Sequence, residues 1–221
     1  MKLNKYIDHT LLKASATKKD IQNLCDEAIH HEFYAVCVNG SYVSFVKEYL
    51  NGTDVKIASV VGFPLGAMDT ESKKEETKNC LKNGADEIDM VLNIGHLKSG
   101  FYEAVAKEIS DIKKIVGNKV LKVILETCFL TKEELIVASQ MAINSKADFI
   151  KTSTGFGTDG ATIEDVELMK EVAGGLAKIK ASGGIKDKNT AIKFIHAGAS
   201  RLGTSSGVSI VTNAVGNKNK Y

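Results

Sequence analysis

Residues 87–93, EIDMVLN, alternate strictly. Glu87, Asp89, Val91 and Asn93 share one face of an extended strand, and Ile88, Met90 and Leu92 share the other. An apolar face of this kind packs against a covering helix, so Asp89 turns into whatever the strand encloses. A helical stripe follows: Phe101, Val105, Ile109, Ile112 and Val116 recur at three- and four-residue spacing and end at Gly117, where a left-handed cap is expected. Residues 120–126, VLKVILE, then read as another strand. Strand, helix and strand in this order form a βαβ unit with parallel strands.

Outward from this segment the unit repeats. Strands are predicted at 6–11, 34–38, 55–62, 87–93, 120–126, 149–153, 177–182 and 201–204. Ile21, Leu24, Cys25, Ala28 and Ile29 place an apolar stripe on a helix over 17–32. Thr131 and Glu134 form a capping box ahead of Leu135, Ala138 and Ala142. Segment 69–83 is mostly polar, with Cys80 and Leu81 inward, and is expected to be a loosely held outer helix. Gly84, Gly117 and Gly198 each fall shortly before a strand, where the turn needs a positive φ. Eight such units predict an α/β fold, a single (β/α)8 TIM barrel over residues 1–221. A doubly wound open sheet is the competing pattern. The end of the chain, 216–221, reads as a polar tail.

Composition agrees with one globular domain: 221 residues, 43% hydrophobic, 25% charged, one proline. No apolar run approaches the roughly 18 residues of a membrane span, and residues 1–8 carry no apolar signal-peptide core. Basic and acidic residues nearly cancel, 29 against 27, and Arg201 is the single arginine. No nucleic-acid partner and no membrane partner are therefore expected. Cys25, Cys37, Cys80 and Cys128 form no C-x-x-C pair and read as reduced thiols of a cytoplasmic protein. The five histidines lack metal-ligand spacing, so no metal is expected.

A barrel of this type carries its active site at the C-terminal ends of the strands. Polar groups on inward faces are then the candidates. Besides Asp89 there is Lys151, which shares a face with Phe149 and Ser153, and Lys180, which shares a face with Lys178 and Ser182. Among so many lysines either one alone reads as a solvent-reaching side chain; two on adjacent strands, facing an acid, do not. Burial and a neighbouring like charge both lower an ammonium pKa. At about 4 Å and an effective dielectric of about 20 the repulsion is roughly 4 kcal/mol, enough to bring an amine towards neutrality. Such a lysine is a nucleophile. Glycine-rich runs follow the seventh and eighth strands, KASGG at 180–184 and GTSSG at 203–207, where barrels of this class bind phosphate. His9, next to Asp8 on a strand, faces away from it and reads as part of a structural polar cluster, whereas Ser153 and Thr154 read as turn and ligand-contact groups.

These residues also carry a resemblance. The runs YIDHTLL (6–12), AVCVN (35–39), VVGFPLG (60–66), GADEIDMV (84–91), KVILET (122–127), FIKTSTG (149–155), KASGGI (180–185) and GTSS (203–206) resemble, in order and spacing, the deoxyribose-phosphate aldolase family, class I lyases on a (β/α)8 barrel. The resemblance implies reversible cleavage of 2-deoxy-D-ribose 5-phosphate to D-glyceraldehyde 3-phosphate and acetaldehyde, in deoxynucleoside catabolism. It implies a Schiff base on Lys151, a proton relay of Asp89 and Lys180 working through a water, and no cofactor. It places the phosphate on backbone amides around Gly183, Gly184, Ser205 and Ser206, with Thr152 a further substrate contact. A cytoplasmic homodimer is the implied assembly, and Tyr221 is a candidate to fold over the substrate. The chain departs from the family pattern at Gly40, where proline is common, and at Lys186, where arginine is common. Cys37, read as lying at a strand end near the site, is expected to be open to reactive aldehydes. Three other functions compete: a transaldolase, a phosphate-binding barrel isomerase and a catalytically silent sugar-phosphate binder.

Overall fold

Parallel strands run around a closed barrel in sequence order, with the eighth pairing back onto the first. The computed structural model describes residues 1–213, so the tail reading over 216–221, Tyr221 included, lies outside the described residues. The strands are β1 (Ile7–Leu11), β2 (Ala35–Val38), β3 (Lys56–Val61), β4 (Glu87–Val91), β5 (Val120–Ile124), β6 (Phe149–Lys151), β7 (Lys178–Ser182) and β8 (Ala199–Thr204). Between and after them come α1 (Lys18–His30), α2 (Val43–Tyr49), α3 (Thr70–Lys82), α4 (Ile94–Lys98), α5 (Tyr102–Val116), α6 (Lys132–Asn144), α7 (Ile163–Ala173), α8 (Lys188–Ala197) and α9 (Gly207–Thr212). The open-sheet alternative is therefore excluded, and all eight predicted strands are present. β6 stops two residues short of its predicted end, although Thr152 and Ser153 stay buried and Thr152 still donates its N–H to the Lys180 carbonyl at 3.1 Å.

Alternation along the strands sorts side chains into two cores. Outward-facing residues such as Val36, Ile88, Met90, Leu121, Ile150 and Leu202 pack under the helices, meeting Ile21, Leu24, Ile109, Leu135, Val166 and Phe194. Inside the barrel a smaller apolar group, Leu12, Cys37, Ala58 and Val60 with Phe63 against it, lines the side formed by β2 and β3. Elsewhere the interior is largely ionic, with Phe149 beside the charged groups.

Local chemistry fixes the helix ends. Thr17–Asp20 and Thr131–Glu134 are both complete capping boxes. Gly117 ends α5 with φ 61° as expected, but its ψ of −125° lies outside the left-handed helical region, a conformation open only to glycine. The expectation for α3 needs correction. Cys80 is buried and Leu81 packs half-buried against the core, but Lys73 and Thr77 are buried as well. Lys73 is wholly buried, and its ammonium donates to Glu108 Oε1 of α5 at 2.6 Å and to the Val91 carbonyl at 2.9 Å. A polar-looking helix is thus pinned by an internal ion pair, because a lysine stem packs as hydrocarbon while its head finds a carboxylate.

Candidate active site

Six strands send seven charged side chains into the barrel: Asp8 from β1, Glu87 and Asp89 from β4, Lys122 from β5, Lys151 from β6, Lys180 from β7 and Arg201 from β8. None is more than 4% exposed. Register brings them together, since Asp89 lies opposite Lys122, and Lys151 and Arg201 flank Lys180. Asp89 is the hub. Its Oδ2 accepts from Lys151 at 3.0 Å and from Lys180 at 2.8 Å, and its Oδ1 accepts from Lys122 at 2.6 Å. Lys180 also donates to Asp8, whose other oxygen accepts from Arg201 at 2.7 Å. Below these, Glu87 binds Lys122 at 2.5 Å and Arg201 at 3.3 Å. The guanidinium lies 3.4 Å over the Tyr34 ring.

The three residues singled out in the sequence, Asp89, Lys151 and Lys180, therefore meet. Four more went unrecognised. Lys122 left a signal, a lysine inside the apolar run VLKVILE, and so did Arg201, the chain's one arginine. Glu87 was on the same strand face as Asp89. Asp8 was overlooked beside His9, which does face away: its Nε2 lies 2.6 Å from Glu27 Oε2 on α1, and its ring packs on Phe33.

Charge decides which amine reacts. Three carboxylates face four cations, and a dehydrated interior tolerates little net charge. Lys122, Lys180 and Arg201 each touch at least two carboxylates, whereas Lys151 touches one. Burial, the largest influence on Lys151, pushes its ammonium below the ordinary value of 10.5; Asp89 opposes this and Lys180 reinforces it. Lys180 moves the other way. Burial disfavours its charge, yet Asp8 and Asp89 together hold it well above 10.5. Asp89 is held well below the carboxylate range, where burial is outweighed by Lys122, Lys180 and Lys151. Asp8 is lowered to about 2, burial being outweighed chiefly by Lys180 and Arg201. Burial and repulsion are both expected to activate the amine; burial is the larger for Lys151 and bears on both lysines, but in Lys180 the two carboxylates outweigh it. Cys37 needs a second correction. It lies within β2 and is wholly buried, and burial raises its thiol pKa.

At the mouth, Gly183 and Gly184 follow β7 with φ of 84° and 78°. A side chain on Gly183 would run into Gly160 at 2.7 Å, whereas Gly184 faces open space. Ser205, Thr154 and Phe156 line a cavity of about 300 Å³ that extends between β1 and α1 past His9 and Leu12. Two expected phosphate contacts are corrected. Thr152 is fully buried, and its hydroxyl donates to the Ser182 carbonyl and accepts from Ser182 N–H, which leaves it no proton for a ligand. The Ser206 N–H is committed to Thr204 Oγ1 at 2.9 Å, so Ser206 offers its hydroxyl and not its amide. Another unforeseen residue shapes the rim. Glu126, left-handed at φ 55° and buried, accepts from the Thr154 N–H at 3.0 Å and from the Thr154 hydroxyl. It clamps the loop that leaves β6 just beyond Lys151.

A (β/α)8 barrel with a buried lysine at the C-terminal end of a strand, its pKa lowered by burial and its amine beside an acid and a second lysine, fits the class of enzymes that act on carbonyl compounds through a lysine amine. Comparison with known proteins narrows the class. Residues 2–214 match the family described as DeoC/LacD family aldolase. The deoxyribose-phosphate aldolase of Brevibacillus brevis is 56% identical over 214 residues, covering 97% of each chain. That of Thermococcus gammatolerans is 56% identical over 218 residues, also covering 97% of each. Among solved structures, an aldolase called QR15 superposes with TM-score 0.92 at 43% identity, covering 96% of this chain and 95% of that one. The deoxyribose phosphate aldolase from Aeropyrum pernix, described as tetrameric, gives 0.90 at 35% identity, covering 96% and 90%. The chain belongs to the DeoC/LacD family of aldolases.

Proposed function

We propose that this chain is a Schiff-base aldolase that reversibly cleaves 2-deoxy-D-ribose 5-phosphate to D-glyceraldehyde 3-phosphate and acetaldehyde. One observation carries the assignment of roles: Lys151 and Lys180 bond the same oxygen of Asp89 in a charge set that balances when Lys151 is the free amine. The Lys151 amine adds to the C1 aldehyde, and loss of water from the carbinolamine leaves a protonated imine. The proton for the departing hydroxyl comes from the Asp89–Lys180 pair, Lys180 being the firmly held ammonium. The imine is the electron sink. As the C3 hydroxyl returns a proton to the Asp89–Lys180 pair the C2–C3 bond breaks, its electrons form the C1–C2 enamine, and D-glyceraldehyde 3-phosphate leaves. Protonation at C2 and hydrolysis of the imine then release acetaldehyde and restore the amine.

The apolar wall of Leu12, Cys37, Ala58 and Val60 suits the two-carbon fragment. The phosphate is assigned to Gly183, Gly184, Ser205 and the Ser206 hydroxyl, a reading supported by the positive φ of both glycines, the kind of backbone from which anion-binding nests are built. Among the described residues no helix is long and apolar enough to cross a membrane. The reading adds a cytoplasmic location, supported by four free thiols, and a homodimer, which light scattering tests directly.

Borohydride reduction in the presence of acetaldehyde, followed by peptide mapping, tests the reading. An ethyl adduct on Lys151 that is absent from Lys151→Ala is expected. An adduct on Lys180 would exchange the two lysine roles. Sugar-phosphate binding without any adduct would replace the aldolase by an isomerase or a silent binder, and transfer of a dihydroxyacetone unit would replace it by a transaldolase.

A further inference from the structure

Beneath the reacting groups lies a second tier of the buried ionic cluster. Arg201 and Glu87 sit on the third residue of β8 and the first of β4, deeper in the barrel than Lys151 at the last residue of β6. Arg201 binds Asp8 at 2.7 Å and Glu87 at 3.3 Å; Glu87 in turn binds Lys122, and Lys122 binds Asp89 at 2.6 Å. An unbroken chain of ion pairs thus runs from Arg201 to the carboxylate that Lys151 touches. The groups facing Lys151 from the surrounding strands are Cys37 on β2, Asp89 on β4, Lys122 on β5, Lys180 on β7, and Asp8 and Arg201 across the barrel on β1 and β8. β3 contributes the apolar Ala58 and Val60.

We infer that Arg201 and Glu87 are positioning residues that set the protonation of Lys151 by fixing the charge count of the buried cluster. Asp8, Glu87 and Asp89 are matched one for one by Lys122, Lys180 and Arg201, which releases Lys151 from service as a counter-ion. Removing the guanidinium leaves three carboxylates and two permanent cations, and the vacancy is filled by the one amine that can take up a proton. Removing the Glu87 charge has the opposite sign, leaving two carboxylates with three cations and a still stronger penalty on a protonated Lys151.

The inference rests on the aldolase reading with Lys151 as nucleophile, and the experiment separates the two. In the wild type, acetaldehyde with cyanoborohydride, followed by intact mass against pH, gives the midpoint for adduct formation; no adduct on Lys151 would sink the aldolase reading itself. With that adduct in hand, Arg201→Met is expected to move the midpoint up by one pH unit or more, cutting trapping at neutral pH about tenfold with recovery at higher pH. Glu87→Gln is expected to move it down. The double variant Arg201→Met/Glu87→Gln, with two carboxylates and two cations, is expected to return the midpoint to within about 0.3 units of wild type. A purely structural role would make the double variant no better than Arg201→Met. Midpoints that stay put in the single variants, or shift in the same direction, overturn the inference. Should Arg201→Met not fold, the sign of the Glu87→Gln shift decides alone.

Discussion

Lys151 and Lys180 donate to one and the same oxygen, Oδ2 of Asp89, at 3.0 and 2.8 Å. Two ammonium groups at such spacing would repel strongly. On the proposed reading one of them is a free amine, which relieves that repulsion and makes Asp89 the conduit between a proton acceptor and a proton donor.

Lys180→Met removes one of the three permanent cations as well as the proton donor. Activity at pH 7 is expected to fall by at least 10²-fold, with the acidic limb of the rate profile moved to higher pH because Lys151 now takes the charge. A pH–rate profile of retro-aldol cleavage checks both. An unchanged limb with reduced kcat would confine Lys180 to proton transfer.

Asp89→Asn severs the relay while keeping the shape of the side chain. A loss of 10²–10⁴ in kcat is expected. Three lysines also lose their shared counter-charge, so thermal unfolding should show a destabilisation of about 3–5 kcal/mol, the usual consequence of breaking a buried pair.

Acid stability has a definite sign. Asp8 has its pKa lowered to about 2 from an ordinary 3.8, so the folded state prefers its ionised form. That preference is fully present above pH 4 and is lost as pH falls towards 2, for on the order of 2 kcal/mol. Asp89, lowered in the same sense, adds to it. Urea midpoints measured between pH 5 and pH 2 should fall steeply in the wild type and less so in Asp8→Asn.

The clamp on the β6 loop separates two effects at Glu126. Glu126→Ala and Glu126→Gly both free Thr154, and KM for the phosphorylated substrate should rise about tenfold in each, the worth of a hydrogen bond to a charged group. Glycine also relieves the left-handed backbone, so Glu126→Gly should unfold at the higher temperature of the two. Equal melting points would mean that the backbone is unstrained there.

The Lys73–Glu108 pair joins α3 to α5 out of reach of solvent. Glu108→Leu alone strands a buried ammonium and should cost about 3–5 kcal/mol, whereas Lys73→Met/Glu108→Leu should recover most of it. Denaturant melts of the two variants decide, and a double variant as weak as the single would mean that the stranded charge is not the source of the loss.

Much of this was legible in the chain. The period of two in EIDMVLN aimed Asp89 inward, and the repeat of strand and stripe led to a closed barrel, because periodicity is a local property. Lysine partners are not local. Glu108 lies 35 positions beyond Lys73, and nothing in a mostly polar helix marks which of its lysines will be buried. Lys122 betrayed itself only by interrupting an apolar strand, and a long flexible stem leaves its direction open until the neighbours are placed. The same limit applies to Thr152: the resemblance implies a substrate contact there, but the buried seam with Ser182 claims its hydroxyl.

Asp8 meets Arg201 across 193 positions of sequence and Lys180 across 172. During synthesis the first strand therefore waits, with an acid on its inner face, until β7 and β8 have been made. No N-terminal fragment can enclose that acid beside its counter-ions, so truncated chains lack both a closed barrel and a reactive amine. Catalytic turnover in this protein is for that reason also a report that translation reached the eighth strand and that the two ends of the sheet found one another.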